Sequence, residues 1–290
     1  MKAFIEPSEL IINSDGSAFH LHLRPEQLAD RILLVGDLNR VHLIKKMLSK
    51  ITSETQCREF VSATGLYNDK RVTLLSTGIG TDNIDIVMNE LDALANIDFA
   101  TRTIKEEHRS LRILRLGTTG AIQDDIAPGT LVYSSYSAGL DGLLNWYANR
   151  DQVCDVAMEQ AFMSHMQWPE KLGHPYFVRN SQSLESLFPD MEKGISLSAP
   201  GFYGPQGRVL RLPLVDANYM DKLVSFQYQG WRITNFEMEG SAIAGLCRML
   251  GHHGGTICMV IAQRSRKAMN VDYVKLMEER AQLVLDRLTL

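Results

Sequence analysis

The chain has 290 residues, 45% of them hydrophobic and 22% charged, an ordinary globular composition with room for one large α/β domain or two small ones. A formal net charge of −4 excludes the basic excess of a general nucleic-acid binder, though it allows a small positive pocket. Cys57, Cys154, Cys247 and Cys258 lie far apart with no C-x-x-C pair, which argues against a disulfide framework or a zinc site. The opening MKAFIEPSEL has acids and a proline where a signal peptide carries its apolar run, and no stretch reaches the ~20 apolar residues of a membrane helix. The expectation is a cytoplasmic protein with no nucleic-acid or membrane partner.

Apolar runs rich in β-branched residues alternate with helical spacing. RILLVGD (31–37) reads as a buried strand, followed by an amphipathic helix over 40–50. RVTLLSTGIG (71–80) is a second strand running into glycines, with a helix over 83–94. LRILRLGTTGAI (111–122) and GTLVYSSYSAG (129–139) are a third and a fourth strand. Further strands are expected at 194–203, 231–240 and 255–264, with helices at 241–251 and 271–288. The stretches 96–110 and 145–180 are more polar and less regular, so they read as surface elaborations. This alternation predicts a single α/β domain with a central mixed, mostly parallel sheet flanked by helices. In such sheets ligands collect beyond the carboxyl ends of the strands. Those ends carry VGDLNR, TGIG, LGTTG, GFYGPQGR, NFEMEG and AQR.

Arg115 interrupts an apolar strand, where an unpaired charge is costly. Arg40 and Arg58 could join it around an oxyanion, since the guanidinium fork matches phosphate geometry. Taken alone, Arg40 reads as a helix-surface residue and Arg58 as a solvated charge. Thr118 and Thr119 add hydroxyls, and Gly117 and Gly120 let backbone N–H groups approach an anion. No phosphate-loop or dinucleotide fingerprint is present, and STGIG reads as a tight turn into the next helix. Glu237 and Glu239 fit either of two roles: carboxylates for a vicinal diol, or a pair favoured by the start of the following helix. Arg264 is a possible partner for either. His20 alone reads as an exposed tail histidine.

Together, FHLHL, VGDLNRV, REF, STGIG, LRLGTTGAI, LDG, GFYGPQGR, NFEMEG and MVIAQR resemble the nucleoside phosphorylase superfamily, and within it the uridine phosphorylases. The match runs from about residue 19 to 264, so residues 19–290 are expected to form the family domain, with 1–18 as an N-terminal extension. The resemblance implies uridine plus phosphate giving uracil and ribose 1-phosphate, in nucleoside salvage. Inorganic phosphate would be the co-substrate, with no metal or organic cofactor. By matched position, Gly36, Arg40, Arg115 and Thr118 would bind phosphate, with Arg58 from a neighbouring subunit. His20, also crossing the boundary, would meet the ribose 5′-hydroxyl, and Met238, Glu239 and Thr119 would hold the sugar. Gly120, Phe202, Gln206 and Arg208 would read the base, with Asp37, Glu237 and Arg264 in support. A homo-oligomer, a dimer or a trimer of dimers, is implied. Ala262-Gln263 stands where purine-cleaving relatives place an aspartate, which argues against purines. The alternatives are a purine or broad-specificity phosphorylase or nucleosidase, and a catalytically silent nucleoside-binding protein of the same fold.

Overall fold

A computed structural model describes residues 4–263, 268–269 and 274–290. In chain order, β1 (Arg31–Val35) leads into α1 (Leu38–Ile44). The hairpin of β2 (Lys50–Cys57) and β3 (Phe60–Tyr67) returns onto β4 (Lys70–Ser76), which feeds α2 (Thr81–Asn96). A short hairpin, β5 (Ile97–Asp98) and β6 (Thr103–Ile104), precedes β7 (Arg112–Ala121) and β8 (Leu131–Gly139). Next come α3 (Val156–Met166), β9 (Tyr176–Arg179), α4 (Gln182–Glu185) and β10 (Glu192–Ser198). Then α5 (Tyr219–Ser225), β11 (Gln227–Tyr228) and β12 (Trp231–Glu237) lead to α6 (Gly240–Met249). The remaining elements are β13 (His253–Gln263), β14 (Ala268–Met269) and α7 (Val274–Leu288).

The main sheet runs β11-β12-β10-β8-β13-β7-β1-β4-β3-β2, with β9 added on β8 and β14 on β13. Two blocks are parallel, β4-β1-β7-β13 and β8-β10-β12. Antiparallel pairs join the blocks and form the β2–β3–β4 edge, so the expected mixed sheet is present. β7 has two partners on the same side. Its first half pairs with β1 from Arg112 to Arg115, and its end pairs with β12 at Gly120 and Ala121. The second pairing closes β7, β12, β10, β8 and β13 into a ring of five strands. A seam therefore opens along β7 between residues 115 and 120, and the site forms there.

Alternation along the strands sorts side chains onto two faces. Ile32 and Leu34 of β1 join a core with α2 and α6, while Leu33 and Val35 join a second core with α1 and α7. α1 is shorter than its apolar spacing suggests, because residues 45–47 tighten into a 3₁₀ turn. Residues 145–180 are more than a surface elaboration. Phe162 on α3 and Phe177 on β9 are fully buried in a third core, and β9 extends the sheet. The other polar stretch, 96–110, forms the β5–β6 hairpin and grips the N-terminal segment. Arg102 donates to the carbonyls of Ile5 (2.8 Å), Glu6 (3.2 Å) and Leu10, and the Ile5 N–H returns to Arg102 O at 2.9 Å.

Candidate active site

Along β7, Ile113 faces one core while Leu114 and Leu116 face the other. Arg115 stands opposite Leu34, the last register position shared with β1, so it points toward the seam region from a strand position. It is only 5% exposed. Its guanidinium ion-pairs with Glu239, lies 3.5 Å from Glu237 Oε2 and reaches Cys258 Sγ at 3.7 Å. Burial works against the charge, but Glu239, Cys258 and Glu237 together hold the pKa above the ordinary arginine value. Gly117 is required by this packing, since a Cβ there would fall 2.1 Å from Arg115 Nη1.

The NFEMEG segment divides its two acids between two tasks. Glu237 closes the start of α6: its Oε2 accepts the N–H groups of Glu239 at 2.9 Å and Gly240 at 2.7 Å, and its Oε1 accepts the Ser198 hydroxyl. Burial raises its pKa, against the pull of Arg115 and with a further push from Glu239. Glu239 instead turns toward the cleft. One oxygen takes Arg115 and the other accepts the Gly80 N–H at 2.8 Å, which ties β12 to the glycine loop before α2. Its remaining lone pairs can accept from a ligand diol.

These groups line a cleft of about 360 Å³. Gly36, Asp37 and Arg40 come from the β1–α1 turn, and Arg115, Thr118, Thr119 and Gly120 from β7. Asp37 accepts the Asn39 N–H at 2.9 Å and caps α1, while Arg40 Nη2 lies 3.5 Å from the Thr118 hydroxyl. The Thr119 hydroxyl donates to Phe236 O and accepts from Asn235 Nδ2 at 2.9 Å, so its proton is already engaged within the protein.

The loop carrying Phe202, Gln206 and Arg208 also lines the cleft. A single 3₁₀ turn runs over Gly204–Gln206 with Pro205 in its middle, and Gly207 ends it in the left-handed region at φ +72°. This geometry buries Gln206, whose Oε1 accepts from Arg208 Nη1 at 2.6 Å. The Arg208 guanidinium also lies 3.8 Å from the Phe202 ring centroid. With Oε1 engaged, Gln206 offers its amide N–H groups. The loop presents two kinds of donor beside an aromatic face.

A profile of the phosphorylase superfamily matches residues 30–290. The chain belongs to the phosphorylase superfamily. The family makes it an enzyme, a pentosyltransferase. A uridine phosphorylase of Haemophilus influenzae is 30% identical over 91% of this chain and 93% of its own length. One from Thermococcus kodakarensis is 28% identical, covering 86% of this chain and 79% of the relative. The solved structure of a Trypanosoma brucei nucleoside phosphorylase, described as showing uridine phosphorylase activity, superposes with a TM-score of 0.83 at 28% identity. It covers 97% of this chain and 99% of that one.

Within this family frame, twelve of the residues expected at the site line one cleft: Gly36, Asp37, Arg40, Arg115, Thr118, Thr119, Gly120, Phe202, Gln206, Arg208, Met238 and Glu239. Glu237 lines it as well, through its place beneath Arg115. His20 and Arg58 do not. They lie together elsewhere on the chain: Arg58 is on the β2–β3 turn at φ +53°, and the His20 ring packs edge-on to Phe60 two residues later, at 6.4 Å. Arg264 lies outside the described residues. Ile79, Phe236 and Ile261 line the cleft without having been singled out by sequence, and Ala262, noted there only for the aspartate it replaces, lines it too. Ile79 is flanked by glycines at φ +71° and +99°, which form the expected tight turn, and that turn leaves it 68% exposed at the cleft. The flanking glycines were the one available signal for it. Elsewhere, Asp92, His108 and His252 bring possible ligand atoms within 4.8 Å of one another. However, His252 Nδ1 accepts the Leu111 N–H at 3.2 Å, leaving its proton on Nε2 toward Asp92 at 3.1 Å. His252 and Asp92 are thus bonded to each other, while His108 stacks on His252 and its Nε2 lies 3.0 Å from the Leu250 carbonyl oxygen.

Proposed function

We propose that the cleft catalyses phosphorolysis of a pyrimidine nucleoside, with uridine as the preferred substrate and inorganic phosphate as co-substrate. The observation that carries this reading is the joining of two donor groups in one cleft. Arg115, Arg40 and Thr118 form one group, with Arg40 at 3.5 Å from the Thr118 hydroxyl, and Gln206 and Arg208 beside Phe202 form the other. Phosphate would bind to the first group, the ribose diol would meet Glu239 beside Met238, and the pyrimidine would lie against Phe202. The C1′–N1 bond breaks through an oxocarbenium-like state, its electron pair passes to the base, and a phosphate oxygen takes the vacated position. Negative charge gathering on the uracil carbonyl oxygens faces the Gln206 amide and Arg208, which act as an oxyanion hole does. The anionic phosphate is both nucleophile and counter-charge, so this route uses no separate catalytic acid–base pair.

His20 and Arg58 share one region away from the cleft of their own chain, which supports their donation to a second copy in a homo-oligomer. The relatives named as uridine phosphorylases support the same substrate. The test is phosphate-dependent release of free base from a panel of purine and pyrimidine nucleosides, followed by ultraviolet difference. Uracil release that requires phosphate is expected. Release of purines alone would overturn the base assignment, release without phosphate would indicate hydrolysis, and nucleoside binding with no turnover would indicate a silent binding protein.

A further inference from the structure

His20 is held more firmly than its place in the N-terminal segment suggests. Glu90, on α2 and nearly buried, accepts the His20 N–H on both oxygens at 3.1 Å and the Leu21 N–H at 2.9 Å. The same carboxylate lies 2.6 Å from His20 Nδ1. With two backbone N–H groups also directed at it, Glu90 is the acceptor in this contact, so the proton sits on Nδ1. In a neutral imidazole Nε2 then carries the lone pair, and it has no partner among the described residues. The ring cannot easily turn away. Phe19 stands edge-on at 4.8 Å and Phe60 at 6.4 Å, and about a quarter of the side chain stays open to solvent (26%).

We infer that Glu90 is a positioning residue: it fixes His20 in the Nδ1–H tautomer and turns Nε2 outward as an acceptor for the 5′-hydroxyl of a nucleoside bound to a second copy of the chain. The inference rests on the proposed function for the identity of that ligand. The tautomer stands on the geometry alone. A carboxylate that orients a histidine through Nδ1 sets which nitrogen faces the partner atom. The 5′-hydroxyl is a donor, so the bare nitrogen is the matching group. A purely structural Glu90 would only satisfy the two backbone N–H groups, and the ring would be free to present either nitrogen.

The test joins kinetics to spectroscopy on the full-length chain. Wild type, Glu90→Gln and Glu90→Asp are assayed with phosphate on uridine and on 5′-deoxyuridine, with His20→Ala as the reference for a lost acceptor. The wild type should prefer uridine, and Glu90→Gln should lower that preference about three- to tenfold, the range of one neutral hydrogen bond. His20→Ala should lower it by a similar factor. Glu90→Asp keeps the charge and should retain part of the preference, and it remains informative where Glu90→Gln does not fold. An unchanged preference in both Glu90 variants, or an equal loss on both substrates, overturns the positioning role. Nitrogen-15 NMR of the wild-type histidines should give His20 a protonated Nδ1 and a bare Nε2, and the opposite tautomer overturns the inference. If the wild type cleaves neither substrate, the proposed function fails, while the tautomer measurement still decides the role of Glu90.

Discussion

Replacing Arg115 with methionine tests the electrostatics of the cleft most directly. The substitution keeps an unbranched apolar chain of similar length but removes the cation that faces Glu239 and Glu237, both only 3% exposed. Breaking a buried ion pair by removing one partner costs roughly 3–5 kcal/mol, because the other charge is left without compensation. At this chain length about 2 °C of Tm accompanies each kcal/mol, so Tm should fall by about 6–10 °C. The Arg115→Met/Glu239→Gln double variant should recover part of that loss. The loss should also depend on pH. Burial already raises the Glu237 pKa, and removing Arg115 raises it further. The folded variant then binds a proton that the unfolded chain has not yet taken up, so its deficit narrows as pH falls from the raised folded value toward the ordinary carboxylate range. Thermal and urea unfolding at two pH values measure both effects. A single variant within about 1 kcal/mol of wild type, or a deficit that grows as pH falls, would refute the reasoning.

On the proposed reaction, Arg208→Ala should lower kcat about 10²–10³-fold while phosphate affinity changes little, measured by steady-state kinetics with each substrate varied. Gly207→Ala forces a side chain into the left-handed region with its Cβ 2.5 Å from Met220 Sδ. It should cost at least about 1–2 kcal/mol of local stability and raise KM for the nucleoside, with faster hydrogen exchange confined to residues 202–208. The Asp190–Arg287 pair joins α7 to the loop after α4, and its hydrogen bonds hold the Asp190 pKa down to about 2, from 3.8. That contribution is complete above the unfolded value and is lost as pH falls through about 2. Asp190→Asn should therefore be less stable than wild type at neutral pH, with the gap closing in acid and shrinking in high salt, as urea titrations will show.

Much of the cleft's lining was legible because it broke the local pattern. Arg115 is a charge in an apolar strand, and Gln206 and Arg208 add an amide and a cation to a glycine-proline turn. The strands that frame them are apolar and bounded by glycines, so their order along the chain was clear. What escaped depends on contacts distant in sequence. Glu90 lies on a helix face whose spacing says only that it is partly polar, and its partner is 70 residues away. β9 is four residues long in a polar neighbourhood, too short for a period-two signal, although Phe177 and Val178 are wholly buried. The seam along β7 could not be read either, because pairing of one strand edge with β1 and then with β12 leaves no mark on the sequence of β7 itself. The two roles of Glu237 and Glu239 became distinct only once Gly240 and Gly80 were placed.

The capped helices around the cleft bear on how an anion can be held there. Helix N-termini are ready-made seats for phosphate, and α/β proteins often use them. Here the chain's own acids fill two such positions, Asp37 at α1 and Glu237 at α6. The Gly80 N–H before α2 is directed at Glu239. On the proposed reading, a phosphate in this cleft would therefore depend on the Arg40 and Arg115 side chains, because these helix-start N–H groups are already engaged. Guanidinium groups on long stems can follow an anion as it moves, and an amide nest cannot. For a reaction in which the anion arrives free and leaves esterified to a sugar, the grip has to travel with the oxygen that forms the new bond.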